Sequence, residues 1–309
     1  SQIRAPKTRI KEWDYYCITD GHIGLALTIA DNGYMGLDSI SFLNFDERFE
    51  ITKSPMRLLP MGKTHLPESS CLGASEIAAS GYALAFYHED GARQLSFHMD
   101  NFRGKDAIEG IITLTDEPIE SIVIATPFDK PGHFYYNQKI NCLRAEGWVK
   151  LGGEKFELTP DRFFAVLDWG RGVWTYHNTW YWSSASGELD GVPFGWNLGY
   201  GFGDTSAATE NALFYNGTLH KLEHINFEIP IKDGTEDFLA PWRFTSSDGR
   251  FEMQFQPVLD RAACTDLKLL KSDQHQVFGK FSGTAVLDDE SVLSVRDFFG
   301  FAEKVENKW

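Results

Sequence analysis

Asp168 closes the apolar run Phe163 to Leu167, and strand alternation puts its side chain on the same face as Phe164 and Val166. A carboxyl on such a face either pairs with a cation or is held protonated by burial. Arg171, three residues on, is the nearest cation for the first outcome. The second would make Asp168 a proton donor inside a cavity. Asp204 and Glu210 follow, and a second carboxyl lets one group act as acid while another acts as base.

Around these carboxyls lies a belt of rings. Six of the nine tryptophans fall between Trp148 and Trp196. Residues two apart in a strand share a face, so Trp174, Tyr176, Asn178, Trp180 and Trp182 would form one stripe, with His177 behind it. Such a stripe is either a cavity lining or an ordinary core. Gly199, Gly201 and Gly203 alternate in the next segment, and a glycine face in a strand implies close approach of a backbone, a ring or a ligand. The expected ligand-binding set is Trp169, Trp174, Tyr176, His177, Trp180, Trp182, Trp196, Asn197, Tyr200 and Asn211. The expected catalytic set is Asp168, Arg171, Asp204 and Glu210.

The elements that position these groups are strands. Ile23 to Ala30, Tyr82 to His88, Phe163 to Leu167, Glu210 to Tyr215 and Ile225 to Ile229 alternate apolar and polar residues, and turn residues such as Asp31-Asn32-Gly33 and Asn216-Gly217 punctuate the chain. Helical stretches are expected only at Ser69 to Ala79 and Leu259 to Leu270. No strand is followed by a Rossmann or P-loop glycine pattern, so no cofactor is expected, and the scattered histidines give no metal site. Leu25 to Asn44 and Leu198 to Asn216 form a weak internal repeat, each a strand, an acidic turn and a second strand.

The 309 residues carry 29 Lys plus Arg against 44 Asp plus Glu, a formal charge of −15, which argues against nucleic acid and anionic membranes as partners. No apolar run reaches the ~18 residues of a spanning helix, and Ser1 to Ile10 lack the apolar centre of a signal peptide. No membrane insertion is therefore expected. The four cysteines, Cys17, Cys71, Cys142 and Cys264, stand far apart; buried free thiols and a cytoplasmic, reducing location are the expectation.

Several segments resemble a known pattern. Glu12-Trp13-Asp14-Tyr15-Tyr16 is similar to the Glu-Trp-Trp-Tyr opening of tandem lipocalin-like (calycin) proteins related to carotenoid 1,2-hydratase and the AttH-like proteins. Leu167-Asp168-Trp169-Gly170-Arg171-Gly172 resembles their central Asp-Arg-Glu-Trp-Gly element, Phe194-Gly195-Trp196-Asn197 their Gly-Trp-Asp-Trp strand, and Phe299-Gly300-Phe301-Ala302-Glu303 their closing strand. The run Gly199 to Leu222, with the Asp168 element, resembles the family DUF2804 over nearly the whole chain. Asp14 replaces the second Trp of the opening, and the central element here has no Glu.

The resemblance implies an all-β fold of two tandem lipocalin-like antiparallel barrels with little helix, at residues 1–160 and 161–309. It also implies a small-molecule ligand. The expected function is cofactor-free acid–base chemistry of the hydratase, isomerase or cyclase type on a small, largely apolar molecule, with Asp168 as the acid. The alternatives are a noncatalytic carrier of a hydrophobic ligand and a carbohydrate-active protein with paired carboxylates.

Overall fold

The computed structural model describes residues 3–89, 91–266 and 271–308. Among them the one helical element is a single turn, Lys7–Arg9, and nearly everything else is antiparallel strand. No helix among the described residues is long and apolar enough to cross a membrane. The chain divides into two compact units, Ser1–Ala125 with Phe134–Trp174, and Thr126–His133 with Thr175–Trp309.

The first sheet begins with β1 (Ile10–Thr19), β2 (Ile23–Asp31), β3 (Met35–Asn44), β4 (Phe49–Lys53) and β5 (Met56–Leu58). It continues through β6 (Gly73–Ala79), β7 (Tyr82–Glu89), β8 (Ala92–Arg103) and β9 (Asp106–Thr115). Its last members are β10 (Ile122–Pro127), β11 (Phe134–Leu151), β12 (Glu154–Leu158) and β13 (Phe164–Val173). The hydrogen-bonded path runs β4-β3-β2-β1-β13-β11-β9-β8-β7-β6. It curls until β2 meets β6 and β4 meets β8. The enclosed core is aliphatic, with Leu27, Ile40, Leu95, Ile112 and Leu167 wholly buried, each worth about 1.5–3 kcal/mol relative to an exposed side chain.

The second unit contains β14 (His177–Leu189), β15 (Val192–Tyr200), β16 (Ala212–Tyr215), β17 (Thr218–Lys221) and β18 (Ile225–Glu228). After a small hairpin of β19 (Ile231–Lys232) and β20 (Thr235–Glu236) come β21 (Trp242–Ser246), β22 (Phe251–Asp266), β23 (Lys271–Val286) and β24 (Val292–Lys308). The path is β17-β16-β15-β14-β24-β23-β22-β21-β18. This interior is aromatic: the buried Trp196 indole has Phe251, Phe281 and Phe298 around it at centroid distances of 5.3, 5.0 and 5.4 Å.

Both sheets follow one plan. The first strand of each unit is flanked on one side by the second, third and fourth, and on the other by the unit's last strand. The internal repeat falls on matching places in that plan, β2–β3 and β15–β16. Asn216 and Gly217 both have left-handed backbone, with φ of 51° and 81°, as the tight hairpin between β16 and β17 requires.

Four expectations change. The units part at 174/175 rather than 160/161, because β13 hydrogen-bonds to β1 and β11 of the first sheet. Neither helix forms: Gly73–Ala79 is β6, and β22 continues through Asp266, with residues 267–270 outside the described set. Cys17 and Cys142 are buried thiols, but Cys71 and Cys264 are exposed. The glycine face also dissolves, since β15 ends at Tyr200 and Gly201 and Gly203 follow it with φ of 86° and 77°. Their role is backbone freedom, and Gly201→Val is expected to cost ~2 kcal/mol or more through left-handed strain at a β-branched residue. Thermal unfolding of the second unit measures it, and an unchanged midpoint would show that the turn tolerates a side chain.

Candidate functional site

The two motifs that carried the resemblance at the start and the centre of the chain are neighbours. β1 and β13 pair with Glu12 opposite Arg171, Asp14 opposite Trp169 and Tyr15 opposite Asp168. Alternation then sorts them to two faces. Glu12, Asp14, Tyr16, Trp169 and Arg171 share the face of the first core, and Trp13, Asp168 and Gly170 take the other.

On that second face Asp168 is not paired with Arg171. Lys139, directly across from it on β11, holds its carboxylate at 2.7 Å, and Trp13 Nε1 donates to it at 3.1 Å. Lys139 and Asp168 side chains are only 6% and 14% exposed. The Trp13 indole lies over Gly170, where a Cβ would stand 2.3 Å from the ring. Asp168 is therefore the anchor of a buried ion pair, and Gly170 clears the space for the indole that caps it. The Arg171 partner is Glu12, at 3.1 Å. Register decides both pairings: residues three apart in a strand point to opposite faces, so Asp168 and Arg171 cannot meet.

The inner face carries a polar cluster at one end of the aliphatic core. Asp14 Oδ2 accepts from Ser75 Oγ at 2.7 Å across the interior, and Oδ1 has no hydrogen-bond partner. Burial pushes the Asp14 carboxyl up to about 6, opposed by the Ser75 hydrogen bond and the nearby Arg93. Arg93, 1% exposed, donates to Ser70 O at 2.8 Å, to Glu117 at 3.1 Å and to the Tyr16 hydroxyl at 3.4 Å. Its Nε is unpartnered, as is Nε of Arg171. Burial also raises Glu12, against the pull of Arg171, and keeps the Tyr16 phenol protonated. The Trp169 ring stands edge-on to Tyr136 at 6.0 Å and under the Arg171 guanidinium at 5.1 Å.

A strap from Leu59 to Leu72 lies over this end. Asp31 accepts from Gly62 N at 3.0 Å and from Thr64 Oγ1 at 2.8 Å. Further along, Pro67 O accepts from Arg171 and Ser70 Oγ donates to Gln138. Leu59, Met61 and His65 all have left-handed backbone, with φ of 51°, 55° and 54°, a conformation that costs non-glycine residues of order 1–3 kcal/mol each.

The other expected site residues scatter. Trp174 belongs to the first unit, edge-on to Trp13 at 5.5 Å, and Tyr176 is exposed. The stripe is broken because β13 ends at Val173 and β14 starts at His177 in the other sheet. Trp180 and Trp182 face away from the ring-packed interior, donating to Glu303 at 2.8 Å and to Asn197 Oδ1 at 2.7 Å. His177 is exposed and reaches Glu306 at 3.2 Å. Trp196 is core. Asn197 donates to Glu210 O at 2.9 Å, and Asn211 caps Gly199 N at 2.7 Å and Glu223 O at 2.8 Å. Glu210 is buried with its carboxyl against Gly199. Tyr200, pushed up to about 12 by burial, accepts from Phe227 N. Asp204 is exposed and held below its ordinary range by Ser206. Asp168, Trp169, Arg171 and Trp174 thus lie in the first unit and the remainder in the second. The sequence reading missed Asp14, Glu12, Ser75 and Arg93; the one signal was Asp14 itself, an acid where the resembling pattern has Trp.

The DUF2804 profile, described as a domain of unknown function, matches residues 1–309. The chain belongs to this family. Solved structures share the fold of this DUF2804 protein: an AttH-type protein of Nitrosomonas europaea (12% identity, TM-score 0.57, covering 96% of this chain and 92% of that one), and the kievitone hydratase of Nectria haematococca (13%, 0.51, 96% and 88%). CghA with bound Sch210972 is a third (9%, 0.50, 97% and 88%). No curated protein matches the DUF2804 chain by sequence. These likenesses establish tandem lipocalin-like barrels.

Proposed function

We propose that the polar end of the first barrel binds a small, largely apolar organic molecule and transfers a proton to it or from it without a cofactor. Hydration, isomerisation and cyclisation are the reaction types this would serve. The observation that carries the reading is Asp14, a wholly buried carboxyl raised to about 6 with one oxygen free of any hydrogen bond. A carboxyl tuned near the working pH is suited to both giving and taking a proton. The unpartnered Nε–H groups of Arg93 and Arg171 supply donors for an oxygen that gains charge as the proton moves. Trp169 and Tyr136 offer ring faces and edges to an apolar body. Water addition is within the repertoire of the fold, since one structural neighbour is named a hydratase. Asp168 keeps a positioning role, fixing Trp13 and hence the β1–β13 pair that carries Asp14.

The test is to incubate the protein in D2O with the organic molecules recovered from it by native mass spectrometry. Deuterium bound to carbon, or a gain of one D2O, is the expected result. A molecule recovered unlabelled from every incubation would make the protein a carrier.

A further inference from the structure

A second constellation, independent of Asp14, crosses the mouth of the second barrel. Tyr200, Tyr181, Lys304 and His275 are consecutive register partners on β15, β14, β24 and β23. They form one transverse row on the inner face, beyond Ala302 and Val277 of the core. Asp260 on β22, the register partner of Val277, reaches across diagonally to His275 Nδ1 at 2.7 Å. The two tyrosines stack at 4.5 Å, with the Lys304 ammonium 5.7 Å from the Tyr181 ring. The row thus pairs flat apolar faces with two cation-forming groups.

What meets this row is the β19–β20 hairpin together with the turn that follows it. Glu236 places its carboxylate on Lys304, and Phe238 lays its ring on the His275 imidazole at 3.8 Å, nearly parallel. The hairpin hydrogen-bonds in register only with itself. A two-stranded ribbon of this kind is marginal on its own. Its Ile231 and, in the turn that follows it, Leu239 are exposed, and an open depression of about 290 Å³ is formed by Lys232 to Leu239 with Asp260 at its edge.

We infer that the mouth of the second barrel is a binding site for a planar aromatic carboxylate, and that the Glu236–Phe238 pair occupies it as an internal stand-in. A carboxylate and a ring, two residues apart on a segment outside the main sheets, reproduce the two halves of such a ligand, although Phe238 also packs on Trp242. Lys304 takes the carboxylate and His275 takes the ring, as they hold Glu236 and Phe238. Exchange conserves charge, because one negative group leaves Lys304 as another arrives. The hairpin competes at an effective concentration on the order of millimolar, as tethered groups do, so the resident pair keeps affinity for a free ligand low until it is displaced.

The probe is 2-naphthoate, followed by its fluorescence. The Glu236→Gln, Phe238→Ala double variant is expected to bind it ~10-fold or more tighter than the unaltered protein, equivalent to about 1.4 kcal/mol. Adding Lys304→Met should remove that gain. In the unaltered protein, saturating 2-naphthoate should speed hydrogen exchange at amides 231–238, a readout that needs no variant to fold. An unchanged affinity in the double variant, tight binding that survives Lys304→Met, or exchange at 231–238 unmoved by the probe would each overturn the inference.

Discussion

Asp14→Asn is expected to lower turnover by ~10² or more, the usual contribution of a positioned acid or base, while leaving the protein at least as stable at pH 7. The amide keeps the size of the carboxyl and an oxygen for Ser75. Stability should not fall because the native carboxyl is itself a cost. Its folded pKa, about 6, lies above the ordinary aspartate value of 3.8, so the native state binds the proton more tightly than the unfolded chain. Stability from this group is greatest in acid and declines as pH rises from about 4 to about 6, a loss of order 3 kcal/mol. The amide variant should lack that decline, and unfolding curves at pH 4.5 and pH 7 compare the two slopes. The rate profile gives a second check. If the protonated form is the donor, kcat/KM falls tenfold per pH step above about 6. Full turnover in Asp14→Asn would remove this residue from the chemistry.

Asp168→Asn should behave in the opposite way. Loss of the counter-charge of a buried ammonium typically costs ~3–5 kcal/mol, although the amide oxygen still accepts from the Trp13 indole N–H. Denaturant unfolding of the first unit should report a loss in that range. Replacing both partners, Asp168→Leu with Lys139→Met, should recover much of it, since neither charge then remains buried. A single variant as stable as the parent would mean that the pair contributes nothing.

Much of the fold is legible in the residues. Asp31-Asn32-Gly33 and Asn216-Gly217 mark hairpins because only a few residue types accept left-handed backbone. The mistaken helix at Leu259 to Leu270 has a definite cause. A bulge between Pro257 and Leu259 switches the inward positions of β22 from Phe251, Met253 and Phe255 to Asp260, which breaks the period-two pattern by which a strand is recognised. The site was less legible. Lys139 and Asp168 meet only through strand register, which no local spacing encodes. Ser75 reaches Asp14, and Arg93 reaches Tyr16, across the interior of a closed sheet. The tryptophan belt misled because the chain passes between units inside it, at Trp174, where ring spacing gives no sign of the break.

The strand order of the two sheets also governs when they can form. Ile10 meets Val173, and His177 meets Lys308, so the opening strand of each unit waits for the closing one. Contacts so remote in sequence fold slowly, because a long loop is closed before any reward is gained. During synthesis β1 has β2 on one side and an open edge on the other until residue 173 has left the ribosome, which makes the nascent first half a candidate for chaperone protection. Among the described residues, every strand outside the β19–β20 hairpin pairs within one main sheet only. The first can therefore close while the second is still being made, and a chain interrupted beyond Trp174 should still yield one finished barrel.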